Sequence, residues 1–124
     1  MPARVYIADA SRQLDLKKLI NYDPYLDNAI KEEDLEKLRA DEMANVIFAR
    51  QDCMIKEGAA LGLDAQKVYL YINANDDFQE KADKKLKAQI EGIVRADPET
   101  EQKVIASIAE EQKKAEGGFG YLFG

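Results

Sequence analysis

The chain has 124 residues, 46% hydrophobic and 34% charged, which is the balance of a globular protein of one domain. Its formal net charge of −6 disfavours nucleic-acid phosphates and anionic membranes as partners, because both are bound by clustered Lys and Arg. Histidine is absent and Cys53 is the one cysteine, which excludes an internal disulfide, a Ser–His–Asp triad and a zinc site of Cys and His ligands.

The N-terminal part of the chain predicts three short elements. The β-branched, alternating segment Val5-Tyr6-Ile7 predicts a strand. Apolar residues between Ser11 and Asn21 predict a short helix, capped by Ser11 or Asp15. Asp23-Pro24 has the pattern of an N-cap followed by proline in the first helical position, which predicts a second short helix.

The middle of the chain predicts the longest helix. Apolar residues recur near helical spacing over residues 32–61, the first turns are acidic, and Gly62 is a suitable C-terminal stop. Residues 67–72 fit two structures, because they alternate like a strand and also fit a helix face. A capping Asp64 and the apolar stripe further along the chain favour the helix.

The remaining elements are also predicted to be helical. Residues 78–96 carry a helical apolar stripe, with Asn75 or Asp76 as the capping residue. Asp97-Pro98 ends this helix and starts another, which stops at Gly117-Gly118. We therefore expect a mainly α fold: residues 1–116 form a bundle of four to five helices with a short N-terminal strand, and residues 117–124 form an extended aromatic arm.

The arm is the most unusual segment of the chain. Residues 117–124 contain three of the ten aromatic residues and four of the seven glycines. In an extended chain, Phe119, Tyr121 and Phe123 point to one side, and such a strand can add to an exposed sheet edge. We expect Phe119, Tyr121, Leu122, Phe123, Gly118 and Gly120 to bind a neighbouring identical subunit or a different protein. The alternative is that this strand folds back on its own domain, for instance by pairing with Val5–Ile7.

The arm resembles the C-terminal tip of archaeal and eukaryotic ribosomal stalk proteins, which recruits translation factors. The resemblance covers Gly-Phe-Gly-Tyr-Leu-Phe after a Glu/Lys-rich segment. Residues 1–116 lack the alanine-rich hinge of that family, so its function is not carried over. The plan of a small acidic helical body with a terminal arm is also similar to that of subunits of viral or phage particles and ring assemblies.

Two other patterns in the sequence are typical of binding sites. Lys81, Lys84 and Lys85 share one helix face and form a secondary basic patch for an acidic partner, although interleaved acidic residues also fit a solvated face. Asn73, Asn75 and Asp77 open like a calcium loop, but the positions that require Gly and Glu are occupied by other residues. We expect no metal and no cofactor.

These features predict a non-enzymatic assembly or adaptor subunit, which docks through its arm on a neighbouring identical subunit or a different protein. A viral or phage particle is one setting for such a subunit. The alternative is a small enzyme or ligand-binding protein that uses carboxylates and tyrosines, with Tyr69, Tyr71 and Asp76 near a pocket. The N-terminus lacks a secretory pattern and no long apolar run occurs, so we expect a cytoplasmic protein, or a particle component assembled in the cytoplasm.

Overall fold

A computed structural model describes residues 3–26 and 30–123, with side chains described up to residue 114. Short 3-10 turns connect some of the helices and strands of this part of the chain. In chain order the elements are β1 (Ala3–Asp9), α1 (Gln13–Asn21), α2 (Glu32–Ala40), β2 (Asp52–Glu57), β3 (Lys67–Asn73), α3 (Asp76–Gln89), β4 (Val94–Arg95) and α4 (Pro98–Phe123).

The four strands form one antiparallel sheet in the order β2-β3-β1-β4. Strands β1 and β2 are both antiparallel to β3, so they run parallel to each other and are joined by the crossover that contains α1 and α2. Helix α3 connects β3 to β4 at the far edge, beside β1. This order is the split βαβ arrangement, in which a hairpin strand is inserted between two parallel strands.

The sheet is covered on both faces, and the sequence of β3 reflects this. Val68, Leu70 and Ile72 contact one hydrophobic cluster, whereas Tyr69 and Tyr71 contact the other. All five side chains are buried. Because a strand buried on both faces needs apolar residues at every position, β3 reads as a continuous apolar run rather than as a clean alternation.

Each face is covered by different elements. On the first face, the buried residues outside the sheet come from α1, α3 and the segments next to them: Leu16, Leu19, Val46, Phe48, Ala82, Leu86, Ile90 and Ile93. On the second face, the buried residues Val104 and Ile108 come from α4, and Ala96 lies two residues before this helix. The molecule therefore has three layers, with the sheet between two helical layers.

The prediction of a mainly α fold is wrong, and residues 32–61 are its largest error. A helix occupies only Glu32–Ala40, and residues 52–57 form β2. None of the side chains of α2 is buried, so no apolar stripe extends this helix. The helical spacing over residues 32–61 comes from buried loop residues such as Phe48 together with the two-sided strand β2.

Residues 67–72 lie in strand β3, so the preference for a helix there is also wrong. The helix predicted for residues 78–96 ends at Gln89, and residues 94–95 form β4. At Asp23-Pro24 the chain forms a 3-10 turn, Pro24–Leu26, and residues 27–29 of the second predicted helix lie outside the described part of the chain. In the two strands, pairing within the sheet overrides the local pattern.

The prediction of an extended C-terminal arm is wrong as well, because helix α4 continues through Gly117-Gly118 to Phe123. The one-sided aromatic face depended on a two-residue alternation, which belongs to an extended chain and not to a helix.

Several predictions are confirmed. Val5 to Ile7 lie in β1, the Asn75 side chain caps α3 by accepting from the N–H of Phe78, and Pro98 begins α4. Within the described residues, no helix combines the length and the apolar character that a membrane span needs.

Candidate functional site

The most connected ionic cluster lies where β1, β4 and α4 meet. Glu101 is buried in the first turns of α4 and accepts a hydrogen bond from the Val5 backbone N–H at 3.1 Å. Arg95 donates to the same carboxylate from Nε at 3.1 Å and from Nη2 at 3.0 Å. Burial alone raises the pKa of Glu101, but the bonds from Arg95 and Val5 outweigh it and hold the pKa below its ordinary value.

A second polar pair links the central strand β1 to α3. The hydroxyl of Tyr6 is buried and donates to Oδ1 of Asp83 at 2.9 Å, and Lys87 lies 3.0 Å from the other carboxylate oxygen. Burial, together with the hydrogen bond to Asp83, raises the pKa of Tyr6 to about 12. Tyr6 therefore remains protonated at neutral pH, and the pair acts as a fixed hydrogen bond between two layers.

The three lysines of the predicted basic patch have different surroundings. Lys81 and Lys84 are exposed, and the ammonium of Lys81 lies 4.0 Å from a carboxylate oxygen of Glu42. Lys85 is only 7% exposed, and its Nζ donates to the carbonyl oxygens of Met43 and Val46, each at 2.9 Å. Lys85 therefore joins α3 to the loop before β2, and only Lys81 and Lys84 are available at the surface.

We expect Lys85→Ala to lower the free energy of unfolding by about 1.5 kcal/mol, because it leaves two backbone carbonyls without their charged donor. The exposed neighbour Lys84 provides a matched control, because Lys84→Ala should change the free energy of unfolding by no more than the experimental error. Urea denaturation of both variants measures the difference. Equal values for the two variants contradict the structural role of Lys85.

Cys53 lies on β2, half buried, with its thiol donating to the carbonyl oxygen of Phe48 at 3.6 Å. Burial raises the pKa of the Cys53 thiol to about 12, and the negative charge of Asp52 adds to this effect. The thiolate is the reactive form of cysteine, so the thiol of Cys53 is unreactive at neutral pH in this environment.

The residues of the alternative, enzymatic hypothesis do not surround one cavity. Tyr69 and Tyr71 are buried in the cluster beneath α4, whereas Asp76 is exposed in the first turn of α3, in the layer on the other face of the sheet. An open groove of about 440 Å³ lies between α1 and the C-terminal end of α3, and is lined by Asp15, Lys18, Leu19, Tyr22, Gln89 and Ile90. In the described part of the chain, no three Cys, Asp or Glu residues are placed to hold a metal ion.

Two features of the described residues are open to solvent or to another molecule. The first is the outer edge of β2, which lies within the residues 32–61 that the sequence pattern predicts to be helical. A local signal was present: the apolar run Cys53–Ile55 lies between charged residues and is followed by Gly58, which is typical of a short strand before a turn.

The second surface is the C-terminal half of α4. Among the side chains that the structure describes, the buried ones of this helix end at Ile108, and residues 109–114 are all exposed. The backbone remains helical through the predicted partner-binding residues as far as Phe123, while their side chains lie outside the described part of the structure. Partner binding by these residues stays a prediction.

No protein-family model, curated protein or solved structure matches this chain.

Proposed function

We propose that this protein is a non-enzymatic assembly or adaptor subunit that binds a neighbouring subunit or a different protein through the end of α4. The binding residues are those predicted from the sequence, namely Gly118, Phe119, Gly120, Tyr121, Leu122 and Phe123. A large particle assembled in the cytoplasm, such as that of a virus or phage, is one setting for this role.

One observation carries the proposal: α4 continues for fifteen residues after Ile108, the last buried side chain among those of this helix that the structure describes. At a rise of about 1.5 Å per residue, this part of the helix is roughly 22 Å long. Four large apolar residues stand in its last turns, after a charged stretch. An apolar segment thus follows the exposed residues 109–114 along α4.

The energetics of the segment favour a bound state. Each of the three glycines at 117, 118 and 120 disfavours a helix by about 1 kcal/mol relative to alanine. Burial of one large aromatic or aliphatic side chain contributes about 2 kcal/mol. A hydrophobic groove on a partner that receives several of these side chains offsets the cost of the glycines, as in other complexes in which a helix lies in a groove.

We expect deletion of residues 117–124 to leave the fold intact and to lower the mass of the assembly. The deleted residues follow a stretch of α4 without buried side chains, so helicity by circular dichroism and the urea midpoint should stay close to those of the full chain. The native masses of the two forms are compared by sedimentation, for the purified proteins and in lysate. A matched full-length control replaces Phe119, Tyr121 and Phe123 with serine and should behave like the deletion.

Salt provides a second readout, because contact between apolar groups is insensitive to ionic strength whereas docking of charged patches weakens in salt. Equal masses of the full and shortened chains, both for the purified proteins and in lysate, contradict the proposal. A difference in mass that disappears in high salt also contradicts it, and points instead to exposed charges such as Lys81 and Lys84.

A further inference from the structure

We infer that the outer edge of β2 is a homodimer interface, at which β2 pairs antiparallel with β2 of a second copy around a two-fold axis. The two four-stranded sheets then join into one continuous sheet. This interface is distinct from the end of α4 and does not depend on the function proposed for it.

The edge of β2 is open and long enough to pair. The strand has six residues and pairs only with β3, so every second residue directs its N–H and C=O outward. None of the turn and loop backbone hydrogen bonds of the described residues involves residues 52–57. No side chain of β2 is fully buried, in contrast with the five buried positions of β3.

The opposite edge of the sheet is different. Strand β4 has two residues, and it leads directly into α4 through Asp97. Very short edge strands are one of the ways in which proteins prevent edge-to-edge pairing. Strand β2 is three times as long and contains no proline, so it keeps the capacity to pair that β4 lacks.

Symmetry limits the possible registers. Residues directly opposite each other in an antiparallel pair project from the same face of the sheet, and neighbouring residues project from opposite faces. A two-fold axis perpendicular to a continuous sheet therefore has to pass beside one residue, which faces its own copy. Near the middle of β2, the possible centres are Cys53, Met54 and Ile55.

The charges of β2 select Met54 as the centre. In this register Asp52 lies opposite Lys56 of the second copy, and the symmetry forms this pair twice. Cys53 lies opposite Ile55, which is an apolar pair, and Glu57, the last residue of the strand, lies opposite Gln51, which precedes it. Cross-strand pairs of opposite charge and apolar pairs both stabilise a sheet.

The other two centres lack these pairs. With Ile55 at the centre, Met54 faces Lys56 and Cys53 faces Glu57. With Cys53 at the centre, Asp52 faces Met54. Of the three registers, only the one centred on Met54 places Asp52 and Lys56 opposite each other, and this self-complementarity specifies a second copy of the same chain as the occupant. In this register Lys56 also keeps its partner Glu111, which lies 2.8 Å from its ammonium, because an ammonium can donate three hydrogen bonds.

Disulfide trapping tests the interface and its register together. On a Cys53→Ser background, Met54→Cys places two identical positions opposite each other, with Cα atoms about 4.5–5.5 Å apart, within the range of a disulfide. Ile55→Cys on the same background is the matched control, because its copies are diagonal and about 7–8 Å apart. After mild oxidation, a non-reducing gel should show mostly dimer for Met54→Cys and less than about a tenth as much for Ile55→Cys.

Charge reversal provides an independent test on the intact chain. Asp52→Lys places a positive charge opposite Lys56 of the second copy, and the symmetry repeats this repulsive pair. The dimer dissociation constant measured by sedimentation equilibrium should therefore rise at least about tenfold. Adding Lys56→Asp restores opposite charges and should return the constant to within about threefold of the original. Lys103→Glu, an exposed change on α4 away from the edge, should leave it unchanged.

The chain shortened to residues 1–116 should dimerise with the same constant as the full chain, which separates this interface from binding by the end of α4. A monomeric mass for both forms at about 100 µM, a concentration at which even a weak dimer should form, overturns the inference. Trapping through Ile55→Cys in preference to Met54→Cys overturns it as well. So does a mass above that of the monomer that the chain shortened to residues 1–116 shows only in lysate, since the strand then pairs with a different protein.

Discussion

Replacement of Gly58 with alanine should lower the free energy of unfolding by about 3 kcal/mol, the upper end of the range for overpacking. A Cβ atom at this position would lie 1.7 Å from the carbonyl oxygen of Asp64, 2.6 Å from its carbonyl carbon and 3.0 Å from the carbonyl oxygen of Lys67. These are backbone atoms, so no side-chain rotation relieves the contact. The loop between β2 and β3 has to move, which also displaces the end of β2.

A second glycine of the same loop provides the control. Gly62 has a φ of 70°, but a Cβ atom there meets nothing within 4 Å. Gly62→Ala therefore introduces only the strain of a left-handed backbone, about 1 kcal/mol. Urea denaturation of both variants measures the two free energies. Equal losses for Gly58→Ala and Gly62→Ala contradict the close approach of the chain at Gly58.

Replacement of Glu101 with alanine should cost about 3 kcal/mol at neutral pH, because it removes the acceptor of a buried backbone N–H and the partner of Arg95. The control is Glu99→Ala, two residues earlier on the same helix. The Glu99 carboxylate is exposed and pairs only with Lys103, 3.6 Å away, so its loss should fall within experimental error.

The effect of Glu101→Ala also depends on pH. The pKa of Glu101 in the folded protein lies below its ordinary value of 4.5, so the folded state favours the ionised form. The stabilisation is complete above pH 4.5 and is lost as the pH falls through the folded pKa. Urea titrations should therefore show the difference between the original protein and Glu101→Ala shrinking below about pH 4. A difference that grows on acidification contradicts the pairing of an ionised Glu101.

The elements that could be predicted from the sequence are those with a local physical cause. Asn75 caps α3, and Asp97-Pro98 starts α4, because short polar side chains and a fixed proline φ act within a few residues. Strand β3 could not be assigned in this way. Its burial on both faces depends on two helical layers from distant parts of the chain, and an apolar run of five residues fits a strand or a helix equally well.

The two candidate surfaces also differ in whether a local sequence pattern reveals them. Composition alone indicates the apolar C-terminal segment, since its aromatic residues stand out from a charged helix. The edge of β2 depends on the position of the strand in the sheet, which local pattern does not reveal. The role of Lys85 likewise depends on Met43 and Val46, whose carbonyl oxygens reach its ammonium only after the loop packs on α3.

The pairing of β1 with β3 has a consequence for the protein during its synthesis. Ala3 pairs with Asn73, so about 60 to 70 further residues are made after β1 before its central partner is complete, which takes several seconds at about 5–20 residues per second. Strand β2 is made directly before β3, so the hairpin of β2 and β3 can close locally as soon as β3 has been made. Strand β1, which carries Val5, Tyr6 and Ile7, is therefore the segment in which we expect a newly made chain to need a chaperone.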